Sequence, residues 1–457
     1  MAREPTAIKR RQYHHLPGVL DLIRYGVIFF LFGSYCLLSK VSAEIVSDLP
    51  EPLTLAAALA TADNVQHPDI FRIDQKISEA FAQIKLEASS SDFRLDFNGR
   101  IRQVGPSSQS DQDETGDSLA SLVLSKPVYD FGLTNIKTNQ LTSWYKGLES
   151  EKKHIVVERR LVILEQYFEV LNADNEFISS NEALALGFIR FDRARDGRQL
   201  GTTSDIDVLK LQAEYETIRQ RRYFAVNQQR FTRQKLALLM GYPDHLASNL
   251  EKPDVNLHIK VKGELAEMLT AALKYSPEAE MYRNRILAFH HAIAAAENTH
   301  NAKLDFELEL SEYERDSATR DEWRASLYFK WPLFGGSIST TLGGVARSQY
   351  HQIIAEYQAY EAKLRIELLE LWQRMSQQQL VARGFAIEED YRDLYLDRSR
   401  AEYELEFKTD LGDAMVEFSN SRTLRLKAEY GFELAYQRLK SLVGPDYFIG
   451  SANTGRE

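Results

Sequence analysis

Cysteine is nearly absent from this chain of 457 residues. The single cysteine, Cys36, lies in an apolar segment near the N-terminus, so the rest of the chain has neither a disulfide nor a thiol nucleophile. Common enzyme motifs are absent as well: the sequence contains no H-E-x-x-H, no G-x-S-x-G and no Walker Gly-Lys-Ser/Thr. We therefore expect a protein that is not an enzyme and that holds no metal and no cofactor.

Basic residues are in deficit. The chain has 56 Lys and Arg against 66 Asp and Glu, which gives a formal net charge of −10 at pH 7. A chain of this sign repels the phosphates of DNA and RNA, so nucleic-acid binding is not expected.

The N-terminus has the pattern of an exported protein. Basic residues precede an apolar run over 25–38, and Val41-Ser42-Ala43 follows as the small-x-small pattern that precedes a cleavage site. We interpret residues 1–43 as a secretory signal peptide. The run of about 14 residues is shorter than the roughly 20 that a membrane-spanning helix needs, which disfavours an uncleaved anchor. Lipidation of Cys36 is disfavoured because Tyr35 is bulky where lipoprotein signals have a small residue.

The remaining sequence consists of two copies of one unit. Three markers recur in the same order and at a nearly constant offset, which indicates a duplication. His67-Pro68-Asp69 recurs as Ser276-Pro277-Glu278, Pro127-Val128-Tyr129 as Pro332-Leu333-Phe334, and Leu239-Met240-Gly241 as Leu442-Val443-Gly444. We expect a first structural repeat at 44–245, a second at 246–445 and a C-terminal tail at 446–457.

Each repeat contains two stretches in which apolar and polar residues alternate. In the second repeat Leu304, Phe306 and Leu308 alternate with acidic residues, and 323–331 alternates in the same way. Such strands have one apolar face and one polar face. We expect strands at about 92–104, 118–128, 303–313 and 322–332; the second of these alternates less cleanly than the others.

Proline and glycine end the second strand of each repeat. Because these residues interrupt strand pairing and permit a sharp change of direction, we expect strand-to-helix breaks there. The break residues are Pro127, Gly132, Pro332, Gly335 and Gly336.

A charged, heptad-like sequence without proline follows each break, over 133–198 and 343–407. At 1.5 Å per residue, about 60 residues form a helix of roughly 90 Å, a length typical of a coiled coil or a tube. Each long stretch then turns into a returning helix that ends at Gly241 or Gly444. The predicted fold is mainly α with a transmembrane β portion, built as a duplicated helix-strand-strand-helix unit.

The four strands have the length of membrane-spanning strands. A strand of about 10 residues crosses a bilayer when tilted, and Trp323 and Trp331 bracket one strand as interfacial aromatic residues do. Backbone groups in lipid must all be paired, so an open four-stranded sheet cannot lie there and strands of other copies must close it. Eight, twelve or sixteen strands would satisfy this requirement.

The order of the elements and their duplication resemble the TolC-like outer-membrane factor family over essentially all of residues 52–445, including the short pattern Leu-Thr-Leu-x-x-Ala-Leu at 53–59. The resemblance implies a homotrimer whose twelve strands form one β-barrel in the lipid of the outer membrane, continuous with a long α-helical tunnel in the periplasm. It also implies partners at the far end of the tunnel: a periplasmic adaptor (membrane fusion protein) and an inner-membrane pump or ABC exporter. The implied function is the exit duct of a tripartite efflux pump or of a type I secretion system.

Acidic residues beside the second helical turn are the candidate periplasmic gate. Asp410, Asp413 and Glu417 fall at spacings of three and four and therefore share one helix face. In TolC-like proteins acidic rings narrow the tunnel at this turn, and the resemblance puts Glu417 at a ring position. The match is imperfect because Lys408 replaces the glycine that the family usually has.

The two helical turns are the candidate contact for the adaptor. They comprise Leu200, Gly201 and Thr202 in the first repeat and Phe407, Lys408 and Thr409 in the second. The first turn keeps the family's apolar-Gly-Thr pattern better. We interpret Asp205 and Asp207, beside the first turn, as helix-start residues, because acids there suit the free amides and the helix dipole.

A second class of protein stays open, namely a structural periplasmic coiled-coil protein without a pore. The alternating strands argue against it, because such a protein has no use for a lipid-facing surface. The transported substrate and the class of pump have no signature in the sequence.

Overall fold

A computed structural model describes residues 49–65, 67–105, 116–244, 247–314, 320–334, 336–405 and 411–449. The elements named below all belong to one compact unit, Pro50–Glu457. The expected signal peptide lies outside the described residues, and so do Gly335, Phe407, Lys408, Thr409 and Asp410.

The two halves of the described chain contain the same principal elements in the same order. The first half has α1 (Leu55–Ala60), α2 (Pro68–Ser89), β1 (Arg94–Arg100), β2 (Leu119–Tyr129), α3 (Leu133–Gln199) and α4 (Asp205–Met240). The second half has β3 (Lys260–Val261), α5 (Leu265–Tyr275), α6 (Pro277–Glu297), β4 (Lys303–Tyr313), β5 (Trp323–Lys330), α7 (Ile338–Glu404), α8 (Leu411–Val443) and β6 (Phe448–Ile449). The two longest helices, α3 and α7, each have 67 residues.

The mainly helical architecture with a small β portion is confirmed, but two element limits differ from expectation. β1 is shorter than 92–104, because its ladder with β2 pairs only from Arg94 to Arg100. α7 starts at Ile338 rather than near 343, because the helix accommodates Gly343 and Gly344 within its first turns.

Short local signals define the helix ends. The His67 side chain accepts a hydrogen bond from the amide of Asp69 (3.3 Å). Pro68 is the first residue of α2, where a backbone amide would have no partner within the helix, so the lack of an N–H in proline loses no hydrogen bond. Ser204 caps α4 by accepting a hydrogen bond from the amide of Asp207 (3.1 Å). Gly241 ends α4 with a φ of +85°, a left-handed conformation that strains residues with a side chain.

The four long strands form one antiparallel sheet in the order β1-β2-β4-β5. β2 and β4 lie at the centre, so the two repeats meet along a strand pair. Within the described residues, β1 and β5 have no strand on their outer sides. The sheet therefore has two open edges, one contributed by each repeat.

The long helices pack side by side in the order α4-α3-α8-α7. The inner helices α3 and α8 contact each other, α4 packs along α3, and α7 packs along α8. Within the described chain, α4 and α7 make no packed contact with each other. They are therefore the two edges of a four-helix layer.

The main apolar core lies where α5, α7 and α8 meet β6. Its fully buried side chains include Leu364, Leu368 and Phe432, each of which stabilises the fold by about 1.5–3 kcal/mol through burial. Tyr436 of α8 meets Phe448 of β6 edge-on, with ring centroids 4.9 Å apart. This core anchors the end of the described chain against the middle of the helix layer.

Much of the long-helix surface is charged. Along α7, ion pairs one turn apart include Arg374 with Glu370 (2.7 Å), which supports a solvated helix face by about 0.3–0.5 kcal/mol. None of the described helices combines the length and the apolarity needed to cross a membrane.

Candidate functional site

The register of the sheet gathers the apolar side chains of all four strands on one face. Residues directly opposite each other in an antiparallel ladder lie on the same face. This register also assigns the faces of β2, whose alternation is less clear in the sequence. Two rows across the sheet are Phe97-Leu122-Leu310-Trp323 and Leu95-Leu124-Leu308-Ala325.

This apolar face is exposed in the single chain. The side chains of Leu95, Phe97, Trp323 and Leu327 are 67%, 58%, 65% and 63% exposed. A contiguous apolar patch of this kind marks a surface that contacts lipid or another protein.

The opposite face of the sheet is polar and carries charges of both signs. Glu309 lies opposite Arg324, with a carboxylate oxygen 3.9 Å from a guanidinium nitrogen, and Glu307 lies opposite Ser326. A sheet with one apolar and one charged face suits a wall between lipid and water.

Asp117 joins the two hairpins at the end of the sheet that is distant from the long helices. Its carboxylate is almost fully buried and accepts hydrogen bonds from Arg102 of the first repeat and Arg320 of the second. Glu314 adds a second link by accepting a hydrogen bond from the amide of Ser118 (3.0 Å). Sequence analysis missed this cluster, because its members lie far apart along the chain and belong to no motif.

Asp130 shapes the turn from β2 into α3. Its carboxylate accepts hydrogen bonds from the amides of Gly132 (3.0 Å) and Thr134 (2.5 Å). Gly132 has a φ of +88°, which glycine adopts without steric cost. The strand thus enters the long helix through a turn that is defined by its own hydrogen bonds.

The other described break residues also lie where a strand is followed by a long helix. Pro127 lies within β2, where the register with β4 shifts between Pro127 and Tyr129. Pro332 follows β5, and Gly336, with a φ of +66°, precedes α7.

The turn between α3 and α4 is a hydrogen-bonded cap with exposed apolar side chains. Gly201 has a φ of +72°, and both the amide and the hydroxyl of Thr202 donate to the carbonyl of Gly197, at 2.8 and 3.0 Å. Leu200 is 79% exposed and Ile206 is 78% exposed. A well-defined turn that presents apolar side chains is suited to contact a protein partner.

The acids beside this turn are held within it. The hydroxyl of Ser204 donates to the Asp207 carboxylate (2.6 Å), and Arg198 pairs with Asp205 (2.6 Å). These contacts agree with the interpretation of both acids as helix-start residues.

The two described gate candidates each face an arginine of another helix. Arg190 of α3 donates a hydrogen bond to the Asp413 carboxylate. A guanidinium nitrogen of Arg392 on α7 lies 3.6 Å from a carboxylate oxygen of Glu417. Arg392 also donates to Glu388, one turn away on α7 (2.7 Å). The two acids are 50% and 53% exposed, so about half of each side chain is open to solvent. Sequence analysis did not identify either arginine, because the pairs join helices that are distant along the chain.

Burial affects two further acids of α8. It raises the pKa of Glu433, although a hydrogen bond from Gln437 (2.6 Å) favours the ionised form. Burial also raises the pKa of Glu429, and the nearby charge of Arg425 partly offsets this increase.

In the described part of the chain, no cluster of three or more His, Cys, Asp or Glu residues could hold a metal ion.

Solved structures share this architecture over most of the chain. The Campylobacter jejuni CmeC outer membrane channel superposes with a TM-score of 0.70 at 14% identity, over 87% of each chain. The open state of the Neisseria gonorrhoeae MtrE outer membrane channel superposes with a TM-score of 0.65 at 14% identity, over 85% of this chain and 88% of that one. The chain has the fold of these outer-membrane channels. No family model and no curated protein matches the sequence.

In this outer-membrane-channel fold, the sheet and the capped turn lie at opposite ends of α3. At 1.5 Å per residue, its 67 residues separate them by about 100 Å. The fold that the resemblance to TolC-like outer-membrane factors implies is thereby confirmed for the single chain.

Proposed function

We propose that the chain is a subunit of an outer-membrane channel, the exit duct of a tripartite efflux pump or of a type I secretion system. The observation that carries this proposal is the sheet of four strands, with one apolar exposed face, one polar face and two open edges. An open sheet leaves backbone groups unpaired in lipid, so further copies must close it. Three copies supply twelve strands, an even number within the range of outer-membrane barrels.

The long helices continue the duct below the barrel. In a homotrimer, three four-helix layers side by side would enclose a tunnel of roughly 100 Å, which extends from the outer membrane into the periplasm. The chain lacks the motifs of nucleotide hydrolysis, so the duct is a passive conduit that an inner-membrane partner drives. We assign no catalytic role to the chain.

The far end of the tunnel is the proposed meeting point with a periplasmic adaptor. The exposed Leu200 and Ile206 on a capped turn support this assignment. Asp413 and Glu417 lie near the start of α8, close to the second turn, and we assign them to the gate. Their arginine partners on α3 and α7 would hold neighbouring helices together in a closed state.

A structural coiled-coil protein without a pore is the competing function. It accounts for α3, α4, α7 and α8 but leaves the apolar face of the sheet exposed to water, which is energetically costly. The channel accounts for both parts of the molecule.

Purification and electrical recording test the proposal. In detergent the protein should have the mass of three chains, and in planar bilayers it should form conducting pores. A stable monomer in detergent would contradict the channel and favour the coiled-coil alternative.

A further inference from the structure

Arg159 of α3 is a buried cation that contacts the helices on both sides of it. Its guanidinium donates hydrogen bonds to the carbonyl of Ala62, between α1 and α2, at 2.8 Å and to the carbonyl of Leu239, near the end of α4, at 3.1 Å. The Arg159 side chain is 9% exposed, and among the described residues the nearest carboxylate, that of Asp69, lies 4.0 Å away. Arg159 therefore has carbonyl acceptors but no close counter-ion.

His67, the residue before α2, adds a third contact to this guanidinium. One guanidinium nitrogen of Arg159 lies 2.7 Å from both ring nitrogens of His67. The Nδ1 atom of His67 also accepts the hydrogen bond from the amide of Asp69 that caps α2 (3.3 Å). A neutral imidazole with its proton on Nε2 suits both donors, because its Nδ1 is free to accept. We call Arg159 and His67, with the carbonyls of Ala62 and Leu239, the Arg159 junction.

The second repeat has an apolar residue at the position of Arg159. The two long helices have equal length, and Arg159 and Leu364 each lie 26 positions after the first residue of their helix. Leu364 is fully buried in the main core. Ser276, which corresponds to His67, forms a hydrogen bond with the hydroxyl of Tyr360 (3.1 Å). Because a buried guanidinium costs free energy of desolvation that a leucine does not, the first repeat contains an ionisable pair that the architecture itself does not require.

Protonation of His67 would break the junction for three reasons. The protonated ring has two donors and no acceptor, so it loses its contacts with Arg159 and with the amide of Asp69. It also places a second positive charge 2.7 Å from the guanidinium, at a site with little solvent to screen the repulsion. A cation beside the first turn of α2 also opposes the helix dipole. The junction therefore requires a neutral His67.

The other ionisable groups around His67 come from α2 and α3, whereas α4 contributes the apolar Leu239; the groups are Asp69, Arg72, His154 and Glu158. The Asp69 carboxylate lies 3.7 Å from the His67 ring and favours its protonation, but it is 53% exposed, so water screens its charge. Burial lowers the pKa of His67, the charge of Arg159 lowers it further, and Asp69 offsets only part of this decrease. The unfolded chain binds this proton more tightly, so stability falls as pH drops below about 6.5 through the lowered pKa.

We propose that the Arg159 junction is a pH-sensitive lock, which holds the start of α2 and the end of α4 against α3 at neutral pH and opens in acid. α2 precedes β1, and α4 begins beside the capped turn at 200–202. The lock therefore links the helix that leads into the sheet with the helix that leads from the turn. All of its members belong to one chain, so it operates whether or not the chain forms the proposed channel.

Hydrogen exchange followed by mass spectrometry on the detergent-purified protein tests the lock. With labelling times scaled for the intrinsic effect of pH, segments 67–74 and 234–241 should exchange faster at pH 5 than at pH 7.5. The corresponding segments of the second repeat, 276–283 and 437–444, are controls within the same molecule. They should not exchange faster in acid, because Leu364 replaces Arg159 there.

Two substitutions of His67 should change this response in opposite ways. Asparagine caps a helix and does not titrate, so His67→Asn should keep both segments protected at pH 5. His67→Lys introduces a permanent cation and should increase their exchange already at pH 7.5. The matched control is His154→Asn, which removes a nearby histidine that lies 3.8 Å from Glu278 and should leave the response to acid in place.

Thermal midpoints give a second readout that does not depend on peptide coverage. From pH 7.5 to pH 5 the midpoint should fall less in His67→Asn than in the unmodified protein, and His154→Asn should not reduce the fall. Faster exchange in acid that persists in His67→Asn, or an equal fall of its midpoint, would overturn the lock. So would full protection of both segments in His67→Lys at pH 7.5, or equal acceleration of the control segments in the unmodified protein.

Discussion

Acidic residues that look alike in the sequence have different surroundings in the fold. The Asp207 carboxylate accepts a hydrogen bond from Ser204, the residue that caps its own helix, whereas Asp413 pairs with Arg190 of another helix. Glu433 is half-buried, and burial raises its pKa. The neighbours of each carboxylate therefore determine whether it caps a helix, links two helices or holds its proton more tightly than a solvated acid does.

The gate acids should control ion selectivity. In a trimer, Asp410→Asn, Asp413→Asn and Glu417→Gln together should abolish cation preference and block by divalent ions from the periplasmic side, because clustered carboxylates attract cations and supply oxygen ligands. Single-channel recordings measure both effects. The matched control is Asp205→Asn with Asp207→Asn at the other turn, which should leave both unchanged. Unaltered selectivity and block in the triple variant would show that these acids only start a helix.

Glu433 should make stability depend on pH. An acid whose pKa is raised in the folded state binds its proton more tightly there than in the unfolded chain, so stability falls as pH rises from the unfolded pKa through the raised one. Glu433→Gln removes this loss and keeps an oxygen that can accept from Gln437. Thermal midpoints in detergent should therefore rise more at pH 8 than at pH 4. The exposed Glu370→Gln serves as the control, and a gain of equal size at both pH values would contradict the prediction.

At the scale of elements, the strand register controls which side chains lie on the apolar face of the sheet. Every strand of the sheet contributes to the same apolar face, because the ladders align Leu308 with Leu124 on one side and with Ala325 on the other. A shift by one residue in any ladder would turn one strand's apolar side chains to the charged face. The two faces therefore predict opposite responses to a new charge.

Arginine on the apolar face should impair insertion. Leu327→Arg or Leu308→Arg, near the middle of the proposed lipid-facing band, should cost roughly 2–4 kcal/mol in the free energy of folding into a bilayer. Ser326 is the neighbour of Leu327 in the chain but lies on the opposite, polar face. Ser326→Arg should therefore be tolerated. Refolding into lipid vesicles over a urea series measures the difference. Equal losses at 326 and 327 would mean that the orientation of the sheet is wrong.

At the scale of the whole molecule, the proposed channel needs other copies to cover two different surfaces. The sheet has open edges at β1 and β5, and the helix layer exposes apolar side chains at both of its edges, including Phe224 and Phe231 on α4 and Leu380 and Ile387 on α7. Each repeat contributes one edge of each kind. Head-to-tail association of identical copies would therefore close the barrel and the tunnel in one arrangement.

Membrane extraction should report this assembly in cells. A protein whose apolar sheet face lies in lipid should stay in the membrane fraction through high salt and alkaline carbonate and leave it only with detergent, because salt and alkali weaken ionic contacts and not the burial of apolar side chains. Release by salt or by high pH alone would favour a peripheral coiled-coil protein. A known peripheral protein from the same membranes serves as the control.

Much of the architecture could be predicted from the sequence because its signals are local. The change between a two-residue and a helical period marks strands and helices, and β4 was expected at 303–313 and spans Lys303–Tyr313. Proline and glycine mark the breaks, and the recurrence of the three markers indicates the duplication. The candidate turn at Leu200, Gly201 and Thr202 also depends on a local pattern, and the structure describes it as a capped turn.

What the sequence alone determined is therefore the kind of each element and the faces of most strands, since both depend on residues within a few positions of each other. The tertiary structure determined the partners: β2 beside β4, Asp117 with Arg102 and Arg320, and Arg190 with Asp413. These contacts join residues that can be more than 200 positions apart, as Asp117 and Arg320 are. Local periodicity carries no information about such distant partners, because the choice depends on how whole helices and strands pack.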